Sequence, residues 1–272
     1  MTTGDQHSSQ HSDQQPGLSR ERMLDAIEAQ AGLVRFALEG ADADADADDA
    51  GGVDLAIAVP SCPGWTIHDL VAHVGTANWW GGANVRAGNP EERARGMGEV
   101  HKTAPPADEG SIPLARWYGD LAVVAIETYT DADPDAPAWT FAGPGRADYW
   151  LRRQLHETAI HRWDLENALR GPASTTPLMD DVALDGLDEF CTAIRPLVAM
   201  LKPAPPVTIR VRAGEREWVI PGAEGSGEVE ISGPAETLTL LLWGRVGADE
   251  PGLEITGDRE GLEAALEAGL ST

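Results

Sequence analysis

Apolar side chains recur every three or four residues in five segments of the first 201 residues, which is the spacing of amphipathic helices. The predicted helices cover residues 18–39, 67–84, 114–129, 148–169 and 179–201. Thr66 and Asp69 form a capping-box pattern at the start of the second helix, and Gly171-Pro172 is placed to end the fourth. The hydrophobic pattern therefore predicts a bundle of four or five helices.

The period of the pattern changes after a proline-rich segment, Lys202 to Pro206. Residues 207–212 carry Val, Ile and Val at alternate positions, as in a strand with one buried face. Further strands are predicted at residues 217–221, 227–232 and 253–256, with a helix at 234–243 and a last helix from the cap Asp258 to Leu270. The fold class is therefore predicted to be α+β, with a helical domain over residues 18–201 and a small α+β domain over residues 207–272.

Two polar segments lack the apolar pattern of a helix or a strand. Residues 1–17 are polar and unpatterned, which predicts a disordered tail in spite of the spacing of His7 and His11. Residues 41–50, ADADADADDA, contain five aspartates but lack the central glycine and the distal glutamate of a calcium-binding loop. We interpret them as a solvated linker.

The net charge excludes several classes of partner. The chain has 272 residues, of which 20 are Lys or Arg and 45 are Asp or Glu, so its formal charge is −25. Such a chain is repelled by DNA, RNA and anionic lipid. Apolar runs such as residues 121–126 and 240–243 are far shorter than a membrane span, and no basic and apolar leader opens the sequence. We expect a cytoplasmic protein that binds neither nucleic acid nor membrane.

The fourth predicted helix contains the candidate chemistry. Glu157 and His161 are four residues apart, so their side chains project from one face of the helix, one turn apart. A carboxylate oxygen and an imidazole nitrogen in that arrangement can share one cation, and Asp164 is placed to orient His161. His156 is five residues from His161, too far around the helix for the paired histidines of a zinc protease.

His73 on the second predicted helix is the candidate third ligand. It directly precedes Val74 at the edge of the apolar face, so its side chain is expected to point inward, whereas His68 points elsewhere. A lone inward histidine is more often a hydrogen-bonded core residue than a ligand. The Glu–His pair of the fourth helix faces the same interior, and a shared metal explains all three residues.

Two blocks of the sequence have the order and composition of a known pair of signatures. The first is SCPGWT followed by HDLVAHVG, at residues 61–66 and 68–75, and the second is RQLHETAIHRWD, at residues 153–164. They resemble the mycothiol-dependent maleylpyruvate isomerase family, and the similarity extends from about residue 18 to the C-terminus. The resemblance implies an N-terminal DinB-like four-helix bundle followed by a small α+β C-terminal domain.

The resemblance also implies the members of the site. Its metal ligands correspond to His73, Glu157 and His161, and the metal is expected to be zinc or another divalent cation. Three protein ligands leave a fourth position open on tetrahedral zinc, and zinc deprotonates a thiol that it binds. The implied thiol cosubstrate is mycothiol. A basic residue of the second domain is expected at the site, and the stretch LLLWGR identifies it as Arg245.

The two cysteines of the chain are not expected to supply the thiol. Cys62 and Cys191 cannot build a disulfide framework or a cysteine-rich zinc site. Cys191 lies within an apolar helical pattern and Cys62 just before a helix, so both are interpreted as small buried apolar side chains.

The implied partners are a small-molecule thiol and a small acidic or electrophilic substrate. The implied reaction is thiolate addition to an unsaturated oxo-acid, rotation about the new single bond, and elimination. Arg245 would act as a catalytic residue by pairing with a substrate carboxylate. Two alternatives stay open, because fold does not decide activity. The chain could transfer mycothiol to an electrophile, or it could be a non-catalytic metal-binding sensor or binding module.

Overall fold

Four long helices pack side by side in the N-terminal part of the computed structural model, which describes residues 17–40 and 52–271. They are α1 (Arg20–Leu38), α2 (Ile67–Ala87), α4 (Ser111–Asp131) and α5 (Ala147–Arg170). The short helix α3 (Met97–His101) lies between α2 and α4, and a hairpin of β1 (Pro137–Thr140) and β2 (Gly143–Arg146) precedes α5. The predicted bundle is confirmed, and α3 and the hairpin are additions that the hydrophobic pattern did not indicate.

The start of α2 has the predicted capping box. The Asp69 carboxylate accepts a hydrogen bond from the Thr66 N–H at 2.9 Å, and the Thr66 hydroxyl accepts one from the Asp69 N–H. These two bonds satisfy backbone donors that the first turn of a helix leaves without partners. The segment before the helix folds back through a bridge between Ala58 and Thr66, which places residues 61–65 beside the bundle.

The predicted fifth helix contains a π-helical turn in the structure. It consists of α6 (Asp180–Glu189), a π-helical turn (Phe190–Ile194) and the short helix α7 (Arg195–Ala199). Pro196 follows the π-helical turn and has no N–H to donate to it. The helical backbone nevertheless continues from Asp180 to Ala199 without a gap, which confirms a fifth helix within the predicted residues 179–201.

A four-stranded sheet forms the C-terminal part, in the order β4 (Arg216–Ile220), β3 (Val207–Ala213), β5 (Gly227–Ser232) and β6 (Glu254–Gly257). β3 and β5 are parallel, and the other neighbours are antiparallel. Helices α8 (Ala235–Leu242) and α9 (Arg259–Ala268) pack against one face of the sheet. The predicted α+β fold class is confirmed.

Helix α6 contributes to the core of this sheet domain. Leu187 and Phe190 are fully buried in the same apolar cluster as Ile209 of β3 and Leu241 of α8. The predicted domain limits, 18–201 and 207–272, stay a prediction, but these contacts join the end of the helical segment to the sheet. The predicted tail, apart from Gly17, and the predicted linker at residues 41–50 lie outside the described residues.

A buried ion-pair network joins α1, α5 and the segment after α5. Arg162, fully buried, donates to Glu166 at 2.7 Å and to the side-chain oxygen of Gln30 at 3.0 Å. Glu166 also accepts hydrogen bonds from the backbone N–H and the hydroxyl of Thr176, at 2.6 and 2.9 Å.

None of the helices in the described part of the chain is long and apolar enough to cross a membrane.

A second network holds α6 against α5. Asp185 lies 2.8 Å from His156 Nε2 and accepts a 2.8 Å hydrogen bond from Arg152. Burial raises the pKa of Asp185, but the hydrogen bonds from His156 and Arg152 outweigh burial and hold it well below its ordinary value of 3.8.

Asp185→Asn is expected to remove a pH-dependent part of the stability. Because the folded-state pKa is depressed, the contribution of Asp185 is complete above its unfolded pKa of about 4 and is lost as the pH falls below that value. The variant should be less stable than the wild type by about 2–3 kcal/mol at neutral pH, and the difference should shrink below pH ~4. Urea unfolding between pH 3 and 7, with the exposed Asp120→Asn as control, measures it. A difference independent of pH would contradict this assignment.

Candidate metal and substrate site

Three predicted residues meet between α2 and α5. Glu157 Oε1 lies 3.0 Å from His73 Nε2 and 3.3 Å from His161 Nε2. One donor atom from each residue lies within 4.8 Å of the other two. We call these residues the donor cluster. Two imidazole nitrogens and one carboxylate oxygen form a donor set found in catalytic zinc sites, so the residues present fit a divalent cation.

Glu157 is held in its charged form. Burial raises the pKa of its carboxyl group, but hydrogen bonds from His161 and His73 and the charge of Arg153 lower it well below its ordinary value. The second oxygen, Oε2, accepts a 2.8 Å hydrogen bond from Arg153 Nη2. Oε1 is therefore the oxygen directed at the two histidines.

His161 is oriented from behind by Asp164, as the spacing predicts. Its Nδ1 lies 2.8 Å from Asp164 Oδ2, which directs Nε2 towards Glu157 and His73. Burial raises the pKa of Asp164, but the hydrogen bond with His161 and the charge of Arg245 lower it to about 2. A carboxylate behind a histidine fixes its tautomer and ring orientation, as in many zinc sites.

Arg245 reaches this carboxylate from the second domain. Helix α8 ends in a turn in which Gly244 has φ +74° and the Arg245 N–H donates to the Leu240 carbonyl at 2.8 Å, the geometry that glycine permits at a helix end. The guanidinium then donates to both oxygens of Asp164, at 3.0 and 2.7 Å, and to the Trp243 carbonyl at 2.7 Å. Arg245 is at the predicted place, and its described partners are groups of the protein.

Arg153 is a site residue that the sequence analysis missed. Besides Glu157, it contacts Glu189 of α6, and its guanidinium lies 5.7 Å from the ring centroid of Trp243. Arg153 precedes Glu157 by four residues, and His161 follows Glu157 by the same spacing. This spacing could have predicted that Arg153 contacts Glu157.

Cys62 departs from the expected role. It is partly exposed in the wall of the site, with Sγ 3.6 Å from Asp164 and 3.8 Å from Arg245 Nη2. Cys62, His161 and Asp164 form a second group with metal-binding spacing. Both oxygens of Asp164 already accept hydrogen bonds from Arg245, which favours the donor cluster. Cys191 packs against the sheet-domain core as expected, and burial raises its pKa to about 12.

His156 and His68 lie away from the donor cluster, as predicted. His156 faces Asp185 of α6, and His68 Nε2 lies 2.9 Å from the Pro105 carbonyl oxygen. The helical spacing alone separated them from His73 and His161.

The donor cluster lies at the floor of a cavity of about 850 Å³ between the helical bundle and the C-terminal part. Arg153 and Arg245 complete this floor. Trp65 and Trp243 form part of the walls. The rim consists of apolar side chains from the β1–β2 hairpin and the end of α7, which are Phe141, Leu197, Met200 and Leu201.

The fold and the site define a two-domain protein in which an α+β domain covers a three-donor site on a helical bundle. Family models agree: the mycothiol maleylpyruvate isomerase N-terminal domain matches residues 36–166, and the MDMPI C-terminal domain matches residues 181–264. The chain belongs to the mycothiol-dependent maleylpyruvate isomerase family.

Solved structures share this fold. A crystal structure of the mycothiol-dependent maleylpyruvate isomerase is 17% identical to the chain, with a TM-score of 0.63, and covers 88% of this chain and 93% of its own. A histidine-to-alanine mutant of that isomerase is 18% identical, with a TM-score of 0.59 and the same coverage. No curated protein matches the chain by sequence.

Proposed function

We propose that the chain is a metal- and thiol-dependent enzyme. His73, Glu157 and His161 hold one divalent cation, zinc, and mycothiol is the thiol cosubstrate. The observation that carries the proposal is the convergence of these three donors on the floor of a cavity of about 850 Å³. Family membership supports mycothiol as the thiol.

The surrounding residues supply position and charge. Bound zinc would convert a coordinated thiol to its thiolate near neutral pH. Arg153 fixes one oxygen of Glu157, and Asp164 fixes the ring of His161. The three donors come from two helices that are packed together, so they are held in place before any substrate binds.

The proposed chemistry is addition of sulfur to an activated double bond. The sulfur forms a bond to one alkene carbon while the π electrons move towards the neighbouring activating group. Rotation about the remaining single bond, followed by loss of the thiolate, yields the trans isomer, which is the reaction of a maleylpyruvate isomerase. Proton uptake at carbon instead yields a thioether, which is S-transfer. The apolar rim suits an uncharged electrophile, so S-transfer is the second candidate function.

Removal and return of zinc tests the proposal. The chain is stripped of metal, reloaded with zinc, and assayed with mycothiol for isomerisation of maleylpyruvate and for addition to diethyl maleate. We expect the metal-free chain to be inactive and the reloaded chain to accelerate at least one reaction. A zinc-loaded chain that binds mycothiol and accelerates neither reaction would contradict the enzyme and favour a metal-dependent binding module.

We further propose that Arg245 is a positioning residue. Its contact with a substrate carboxylate stays a prediction from sequence, whereas its guanidinium holds both oxygens of Asp164 here. Arg245→Ala is expected to weaken zinc affinity by about 10–100-fold. Asp164 would lose the two hydrogen bonds that fix it, and it would then orient the ring of His161 less precisely. Zinc competition titration measures this, and Arg245→Lys should retain part of the affinity. Unchanged zinc affinity with slower turnover of an acidic substrate would instead support direct substrate contact.

A further inference from the structure

The positive charges at the cavity floor are neutralised by carboxylates of the protein. Arg245 forms an ion pair with Asp164 at 2.7 Å, and both side chains are buried. Arg153 pairs with Glu157 at 2.8 Å and with Glu189. A substrate carboxylate would have to compete with these carboxylates of the protein, since each guanidinium already has a charged partner.

The balance of charge at the floor disfavours an anionic substrate. The guanidiniums of Arg153 and Arg245 contact three carboxylates. These are the side chains of Glu157, Glu189 and Asp164, so the five charged groups together carry one net negative charge. A divalent cation together with one thiolate brings the total to zero. A dianionic substrate would then add two charges to a buried neutral site and would have to lose its hydration to enter.

Lys202 does not change this balance. It follows the rim residue Leu201, but it does not line the cavity, and its ammonium group donates to the Ser271 carbonyl at 2.6 Å.

The rim adds an independent observation. Met200 and Leu201 are 71% and 77% exposed, and Phe141 is 47% exposed. All three line the same cavity opening. A soluble domain rarely leaves such side chains grouped at the surface unless they contact a ligand or a partner. The cavity volume of about 850 Å³ is also in the range of sites for drug-sized ligands.

We infer that the second substrate of this cavity is an uncharged, apolar electrophile, such as a cis-unsaturated diester or ketone, and not a small dianionic acid. This inference rests on the proposed function, because the electrophile must meet an activated thiol. The apolar part of the substrate lies against Phe141, Met200 and Leu201. Its electrophilic carbon faces the donor cluster.

The reaction is balanced as an addition. The thiol proton leaves when the thiol becomes a thiolate, and the sulfur forms a bond to the alkene carbon while the π bond breaks. A proton from solvent then adds to the neighbouring carbon, so that thiol and alkene give one thioether with no oxidant or reductant.

Matched pairs of probes test the substrate class. Diethyl maleate and maleate share the cis double bond and differ in charge, and diethyl succinate and succinate are their unreactive analogues. With the zinc-loaded chain and mycothiol, we expect the enhancement over the uncatalysed reaction to be at least ~10-fold larger for the diester. Calorimetry should show that diethyl succinate binds and that succinate does not, independently of turnover.

Rim variants locate the electrophile. Leu201→Ser and Phe141→Ala should raise the KM for diethyl maleate by about 5–10-fold and leave the KM for mycothiol unchanged, because apolar contact area is lost only for the diester. Phe36→Ala is the matched control, since Phe36 is also 47% exposed and lies on α1, outside the cavity lining. Leu201→Arg should lower the KM for maleate by about threefold, as expected for the attraction of one exposed positive charge.

The outcomes separate this inference from the proposed function. Preference for maleate or maleylpyruvate over the diester, with zinc-dependent turnover intact, would overturn the inference and leave the proposed function standing. Rim variants that change the KM for mycothiol and not for the diester would also overturn it. If neither reaction is accelerated, the proposed function fails, and tight binding of succinate in place of diethyl succinate would still refute the substrate class.

Discussion

Glu157→Gln is expected to lose the bound divalent cation while keeping the shape of the side chain. The amide removes the negative charge between His73 and His161 and replaces one charged acceptor of Arg153 with a neutral one. Loss of a direct ligand should lower zinc affinity by more than the ~10–100-fold that follows loss of a supporting residue. Turnover with mycothiol should fall in proportion to metal content.

Elemental analysis of the purified variant, followed by zinc competition titration, measures the effect. His73→Ala should behave in the same way, since it removes a donor from the opposite helix. His68→Ala is the matched control on α2, because its ring contacts the Pro105 carbonyl and not the donor cluster. Full zinc retention in both Glu157→Gln and His73→Ala would show that these residues are not the ligands.

Glu166→Leu is expected to have the largest effect on stability. It leaves the fully buried Arg162 without its carboxylate partner and removes the acceptor of two hydrogen bonds from Thr176. Breaking one side of a buried ion pair destabilises a protein by about 3–5 kcal/mol. For a chain of this size, that corresponds to a melting temperature lower by roughly 10 °C.

The double variant Arg162→Met/Glu166→Leu tests the cause. Removing both charges should recover much of the lost stability, because no uncompensated charge then stays buried. Glu228→Gln is the control for an exposed pair, since Glu228 is 61% exposed beside Arg210, and it should change the free energy of unfolding by less than about 0.5 kcal/mol. Calorimetry measures all three. A double variant less stable than Glu166→Leu would contradict the assignment.

Local periodicity allowed the sequence to predict the helices, the change to strands and the face of α5 that carries Glu157 and His161. These features depend on residues within one or two turns of each other, as does the capping box of Thr66 and Asp69. The i, i+4 geometry is a property of any regular helix, so it could be derived before the helix was packed. His73 was harder to assign, because it lies on α2 and not on α5. Its inward direction had to be inferred from the apolar face of α2.

The π-helical turn inside the fifth helix is a feature that the local pattern did not predict. The apolar positions of this helix continue through residue 201, but Pro196 and the packing of Phe190 against the sheet domain decide its shape. The β1–β2 hairpin is similar, since it carries Trp139 into a group of aromatic side chains around Trp80 and Trp150. Strand pairs this short depend on such packing more than on their own sequence.

The sequence by itself predicted the long helices, most strands of the sheet, the α+β class and the three candidate ligands His73, Glu157 and His161. Only the tertiary structure decided that Arg245 and Arg153 are bound to carboxylates and that Cys62 lines the site. The apolar rim of the cavity is also a tertiary feature, because it combines the β1–β2 hairpin with the end of α7. These pairings join residues separated by tens of positions along the chain, and only the folded packing of the two domains brings them together.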